Sequence, residues 1–148
     1  MGMPSEPTIY NAVNKVVDCH DGFMTHGGGS WLHGVVAINK MNEDDGMKAI
    51  EAAFAGHASM KHVWIVDSDI DITNPQSVEW AMATRFQGNK GLVVKTGVKG
   101  SSLDPSSNPE TRETVKVGFD CTISLDRNKS DFTKPKPGMK VKLEDYLD

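Results

Sequence analysis

Cysteine is scarce: 148 residues hold only Cys19 and Cys121, far apart and in no CxxC pattern, which excludes a disulfide scaffold and suits reduced thiols. A single bridge is the most the chain can form. Positive charge is also short, with 16 Lys and Arg against 20 Asp and Glu for a net charge of -4. No general attraction to nucleic acid or to an anionic membrane is therefore expected. No apolar run approaches the roughly 18 residues of a membrane span, and the opening MGMPSEP has neither the basic nor the apolar region of a signal peptide. The expectation is a soluble cytoplasmic protein. No internal repeat is visible, and the length fits one domain, which at this size buries about 70% of the surface its unfolded chain exposes.

What is present concentrates in residues 61–85, KHVWIVDSDIDITNPQSVEWAMATR. Val63, Trp64, Ile65 and Val66 are β-branched or aromatic and apolar on both faces, the pattern of a strand covered on both sides of a sheet. The strand empties into Asp67, Asp69 and Asp71. Asn74 then caps a helix whose first position is Pro75, where a missing N–H costs nothing. The acidic cluster is thus expected at the carboxyl end of a strand, where open α/β sheets place their ligands.

Elsewhere, Ser5 with Glu6 and Pro7 reads as a helix start, with Ile9, Tyr10, Val13 and Val17 on one apolar face and an end near Lys15. Residues 16–19 and 32–39 read as an antiparallel strand pair joined by the glycine-rich HGGGSW. Asn42 is expected to cap a helix with Glu43, Asp44 and Asp45 in its first turn and Met47, Ile50 and Phe54 as the buried stripe. Leu92, Val93 and Val94 follow as a strand, and strand, helix, strand implies a parallel right-handed crossover. Residues 98–114 are rich in Ser, Pro, Gly and Asn, too polar to be buried unaided, and read as a long functional loop. Residues 117–123, VGFDCTI, read as a terminal strand. Residues 126–148 carry the late lysines around prolines and read as an extended arm. The fold class is α/β: one three-layer domain over residues 1–125, with a mostly parallel central sheet and flanking helices.

With VDSDIDI, VEWAMATR, GVKGSSLDP and KVGFDCT in one order, and GMPSEPTIY and AIEAAFAGHASMKHVWIVD upstream of them, the chain resembles the carboxyl-terminal domain of the UbiD family of prenylated-flavin-dependent decarboxylases. The resemblance runs from about Gly2 to Thr122. It implies a reversible carboxylation or decarboxylation of an aromatic or α,β-unsaturated acid, with a prenylated flavin mononucleotide whose phosphate is held by a divalent metal and a potassium-type cation. The cofactor carries the electron-sink chemistry and the protein orients and protonates. The family's Glu, Arg, Glu acid/base network and most of its metal and phosphate ligands belong to an amino-terminal flavin domain with no counterpart here. This chain thus resembles half an enzyme, inactive alone, that supplies a cleft wall and an oligomer interface to a flavin-domain partner or missing domain.

Matched position by position, the resemblance places Arg85 beside the monovalent-cation site, with its backbone carbonyl facing the ion. It places Leu103 and Ser101 on the loop lining the substrate side of the flavin, and Ala58 and Ser59 on another pocket wall. A lysine that some members hold near the cofactor phosphate is Ala55 here, with His57 close by. No catalytic residue and no metal ligand is assigned to this chain.

Plainer roles compete at each motif. Asp67, Asp69 and Asp71 could bind a hard cation, yet alternating strand positions do not guarantee one shared face, and loop-shaping hydrogen bonds to backbone N–H groups are favoured. The strand followed by DxD is also similar to haloacid-dehalogenase phosphatases, in which Asp67 would be the nucleophile and Asp69 the general acid. Such an enzyme is magnesium-dependent and needs a phosphate clamp and a later acidic pair that the sequence does not clearly supply. A non-catalytic assembly module is the third alternative. His20, His26 and His33 are regularly placed, but their spacing crosses a glycine turn, so solvent-facing or hydrogen-bonded roles are expected for them and for His57 and His62. Gly27, Gly28 and Gly29 lead into a strand, unlike a phosphate loop. Trp31, Trp64 and Trp80 are expected in the core or in subunit contacts. Cys121, with no histidine beside it, reads as a small buried residue and not a nucleophile.

Overall fold

The computed structural model describes residues 6–25, 27–29 and 31–132. Helix α1 (Glu6–Asn14) precedes strands β1 (Cys19–Met24) and β2 (His33–Ile38), then helix α2 (Asp45–Gly56), strand β3 (His62–Asp67) and helix α3 (Pro75–Arg85). A single turn α4 (Gly88–Gly91) leads into β4 (Leu92–Lys99) and β5 (Glu113–Cys121), and a 3₁₀ turn spans Lys129–Phe132. The strands form one sheet in the order β1-β2-β3-β5-β4. Its three central strands are parallel, and both edge strands pair antiparallel with their neighbours.

Three layers follow from strand alternation. Val36, Ile38, Val63 and Ile65 face α1 and α2, meeting Ile9, Val13, Ala49, Ile50 and Ala53 in one core cluster. Val35, Ala37, Val66 and Cys121 face the other way, toward Ile72 and Ala81, with Val78 and Met82 of α3 packed against them. Ile50 and Phe54 of the stripe read for α2 are buried and Met47 is partly so, joined by Ala49 and Ala53; of the face read for α1, Ile9 and Val13 are buried and Tyr10 partly so, while Val17 is buried past the end of the helix. Asn74 caps α3 through its side chain, which accepts from the Gln76 N–H, with Pro75 at the first position.

Four local expectations are corrected. The first strand begins at Cys19, because the backbone leaves α1 in a turn at Val16 and Val17, both bonded to the Val13 carbonyl. A register shift between Cys19 and Asp21 hides its alternation. The α2 helix begins at Asp45, not just after Asn42: the Asp45 carboxylate reaches back to the N–H groups of Met41 and Asn42, at 2.8 and 3.0 Å, and organises the turn before the helix. The segment from β3 through α3 to β4 is no parallel crossover. Arg85, at the end of α3, comes back to Asp67 at the end of β3, so the chain re-enters at the same end of the sheet and β4 descends antiparallel along β5. The polar loop is shorter than residues 98–114, because β4 extends to Lys99 and β5 begins at Glu113. The start of the first helix at Ser5 and most of the C-terminal arm, 133–148, lie outside the described residues.

Candidate functional site

The acidic cluster resolves into two devices at the carboxyl end of β3. Arg85, whose side chain is 1% exposed, places Nη1 3.1 Å from Asp67 Oδ2 and 2.9 Å from Asp69 Oδ1, and Nη2 2.9 Å from Asp69 Oδ2. Its fork therefore clamps Asp69 through both oxygens and holds Asp67 with one arm. Asp67 Oδ2 also accepts from the Ile123 N–H at 2.9 Å, tying the end of β3 to the chain leaving β5. Asp71 turns away and accepts from the N–H and hydroxyl of Thr73. Burial pushes the Asp67 carboxyl up, against the pull of the Ile123 amide and of Arg85. The hydrogen-bonded Arg85 guanidinium holds Asp69 below the usual carboxylate range. Among the described residues no three His, Cys, Asp or Glu side chains gather as a metal set. Asp67 and Asp71 accept from backbone N–H groups, the kind of bond favoured for the cluster, whereas Asp69 is held by Arg85, a counter-ion that spacing alone did not reveal.

The four residues expected to line a pocket collect at the opposite, amino end of β3. Ala58 and Ser59 sit just before the strand, and Lys116 of β5 donates from Nζ to the Ala58 carbonyl. Loop 100–112 comes to the same end, because Asp104 pairs with Lys61 at 3.0 Å. Ser101 is buried and its hydroxyl accepts from the Leu103 N–H at 3.0 Å, while the Leu103 side chain is 56% exposed. Arg85 is not brought to this group, since the six residues of β3 put about 17 Å between the two ends. A cavity of about 380 Å³ opens near Arg85, Lys90, Asp120 and Arg127, and none of the four wall residues lines it.

Histidines and aromatics crowd the amino end. His33 Nε2 and His62 Nδ1 lie 2.9 Å apart on register-matched positions of β2 and β3. Trp64 stacks on Phe119 with centroids 5.2 Å apart, and Trp31 stacks on His57. His57 Nε2 is buried without a partner. Burial drives the Cys121 thiol up to about 12 and the Cys19 thiol to about 11, so neither is a nucleophile at neutral pH.

A flavin mononucleotide asks for apolar surface against its ring and for cationic or N–H donors around its phosphate. Exposed Leu103 and Trp31, at the same end of the sheet as the small Ala58 and Ser59, offer the first. The nearby lysines are engaged, Lys61 with Asp104 and Ser106 and Lys116 with the Ala58 carbonyl. The exposed apolar side chains suit a flavin ring, while Lys61 and Lys116 already have partners other than a phosphate. Lys61, Asp104 and Ser106 were not singled out from spacing. The signal was there in Leu-Asp-Pro-Ser-Ser, an Asp-Pro turn with side-chain acceptors.

A family model described as the 3-octaprenyl-4-hydroxybenzoate carboxy-lyase C-terminal domain matches residues 1–121. The chain is 50% identical over 137 residues to the anhydromevalonate phosphate decarboxylase of Methanocaldococcus jannaschii, covering 92% of this chain and 32% of that protein. It superposes with a TM-score of 0.86 on the UbiD-class enzyme HmfF from Pelotomaculum thermopropionicum, in complex with FMN, at 36% identity over 99% of this chain and 33% of that one. An evolved dimeric form of the same enzyme, in complex with prFMN, gives a TM-score of 0.73 at 32% identity, over 99% of this chain and 30% of that one. The chain spans about a third of the length of these relatives.

Proposed function

The chain belongs to the UbiD family, as its carboxyl-terminal domain, and from that premise we propose that it works as one wall of a prenylated-flavin-dependent decarboxylase. The observation that carries this is the fit of nearly the whole chain onto one third of a flavin-bound UbiD-class enzyme. The rest of the catalytic apparatus, including the Glu, Arg, Glu network, the divalent metal and the potassium-type cation, is assigned to a flavin-bearing domain or subunit. The flavin, when bound, supplies the electron sink for loss of carbon dioxide.

This chain's own part is to shape the cleft. Leu103 presents apolar surface to the substrate side, Ser101 sets its backbone, and Ala58 and Ser59 keep the facing wall small enough for close approach. Together they exclude water and hold the acid in one orientation, which lowers the barrier by positioning. The Arg85 side chain is consumed by Asp67 and Asp69, so a place beside the cation would involve only its backbone carbonyl. The same engagement leaves neither Asp67 free as a phosphatase nucleophile nor Asp69 free as its general acid. The substrate class is an aromatic or α,β-unsaturated acid. Anhydromevalonate phosphate, by its name a dehydrated hydroxy acid, is the first to try because the relative that acts on it is half identical.

Co-expression with the flavin-bearing portion tests the proposal. A stable complex is expected that releases carbon dioxide only when both parts and the prenylated flavin are present. The isolated chain is expected neither to bind flavin at micromolar concentration nor to turn over. Turnover by the chain alone, or a complex whose rate is indifferent to it, would overturn the division of labour.

A further inference from the structure

Two wall segments far apart in sequence, 58–59 and 101–103, need a device that fixes their spacing, and a polar loop has little apolar surface with which to do it. The loop is nonetheless ordered around one carboxylate. Asp104, with a side chain 4% exposed, follows Leu103 directly and pairs through Oδ2 with Lys61 Nζ at 3.0 Å. Its Oδ1 accepts from the N–H and hydroxyl of Ser106, at 3.0 and 2.7 Å, and its Oδ2 accepts from the Thr114 hydroxyl at 3.3 Å. Its own carbonyl accepts from the Ser107 hydroxyl at 2.8 Å.

Lys61, on the other side, is a firm base. Its N–H donates to the Leu32 carbonyl at 2.6 Å, its carbonyl accepts from the Val117 N–H at 3.0 Å, and the preceding Met60 is fully buried. Lys61 lies two residues after Ser59, and Asp104 one residue after Leu103. We propose that the Lys61–Asp104 pair is the positioning element that sets the Leu103 wall against the Ala58–Ser59 wall, so that the cleft face is built before any partner docks. The inference rests on the proposed function for its role in the cleft, and on this chain's contacts alone for the pin itself. Burial by itself would raise the Asp104 carboxyl, but the Ser106 hydroxyl, Lys61 and the Ser106 N–H together bring it down to about 2. The Asp104 side of the pin is therefore a carboxylate throughout the range in which enzymes work.

Two measurements on the same variants separate pin from cleft. In the full chain, Asp104→Asn and Lys61→Met are expected to speed hydrogen exchange of the amides in 100–112 by about tenfold or more, the cost of losing charge-assisted hydrogen bonds. Lys61→Arg is expected to restore slow exchange, which general loss of packing would not predict. In the enzyme assembled with its flavin-bearing part, the same two variants are expected to raise KM more than they lower kcat, with Lys61→Arg again near the parent. Unchanged exchange in both Asp104→Asn and Lys61→Met would overturn the pin. Faster exchange with an unaltered KM would leave the pin standing and overturn the assignment of this loop to the cleft. Lys61→Met serves as the independent variant should Asp104→Asn fail to fold.

Discussion

His33 Nε2 and His62 Nδ1 face each other at 2.9 Å across neighbouring parallel strands, at matched register on one face of the sheet. One ring must donate and the other accept, so the contact exists while at least one imidazole is neutral, and a second proton would place two cations in touch. Burial first, then Lys61, lowers the affinity of His33 for a proton, and burial followed by His33 and Lys61 does the same for His62, with Asp104 opposing. Trp64 and Phe119 pack edge-on around the pair.

Stability is therefore expected to fall on acidification from about pH 6.5. Both histidines have folded pKa values below their unfolded ones, so the unfolded chain takes up protons first, and the stabilisation present above about pH 6.5 is lost as pH falls through the folded values. His57, lowered by its own burial, adds in the same direction. Each histidine contributes a slope of at most about 1.4 kcal/mol per pH unit. Urea unfolding between pH 7.5 and 5 is the measurement, and His62→Gln is expected to flatten the slope. A parent curve flat across that window would refute the neutral pair.

Arg85→Met is expected to destabilise the chain by about 3 to 5 kcal/mol, because it strands the buried Asp67 carboxylate without its counter-ion. Asp69→Asn, at a side chain about one-third exposed, is expected to cost only about 1 kcal/mol. Arg85→Lys should not rescue, since an ammonium cannot span both oxygens of Asp69 and still reach Asp67. Denaturant midpoints on the four proteins check the order. Equal, small losses for Arg85→Met and Asp69→Asn would show that the clamp is solvated.

Where apolar periodicity was strong, the sequence could be read directly. The Val63 to Val66 run, the α2 stripe at Ile50 and Phe54, and the Asn74-Pro75 cap are all local signals, and the structure uses each as its chemistry suggests. The direction of β4 was not legible, because it depends on Arg85 coming back to Asp67 over 18 residues. Nor was the order in loop 100–112 legible from composition, which counts apolar surface and misses a buried carboxylate that satisfies four donors. Candidate wall residues were legible only through family resemblance. Their gathering at one end of β3 depends on Lys61, a residue that in sequence merely precedes an apolar strand.

Gly118 tests the packing of the sheet on α2. A Cβ there would come within 2.3 Å of Ile50 Cγ2, and Ile50 is fully buried. Gly118→Ala is expected to cost about 1 to 3 kcal/mol through overpacking, and Gly118→Ala with Ile50→Val should recover part of it. A melting temperature unchanged in the single variant would mean that α2 can shift away from β5 without loss.

Leu103 separates a functional surface from a private core. Its side chain is 56% exposed in a loop whose buried members are polar, Ser101, Asp104 and Ser107, so the fold gains little from it. Leu103→Ala is expected to change the stability of the chain by less than about 0.5 kcal/mol, as surface substitutions do. In the assembled enzyme the same leucine would be covered by substrate and flavin-bearing partner, and burying a leucine is worth about 1.5 to 3 kcal/mol. A drop in kcat/KM of about tenfold or more is then expected, because that burial exists only in the complex. The pairing of the two results is what matters. A destabilised chain would place Leu103 in the core, and an unchanged kcat/KM would remove it from the cleft, whereas an unaltered melting curve with weakened turnover fits only a side chain held out for something the isolated domain does not contain.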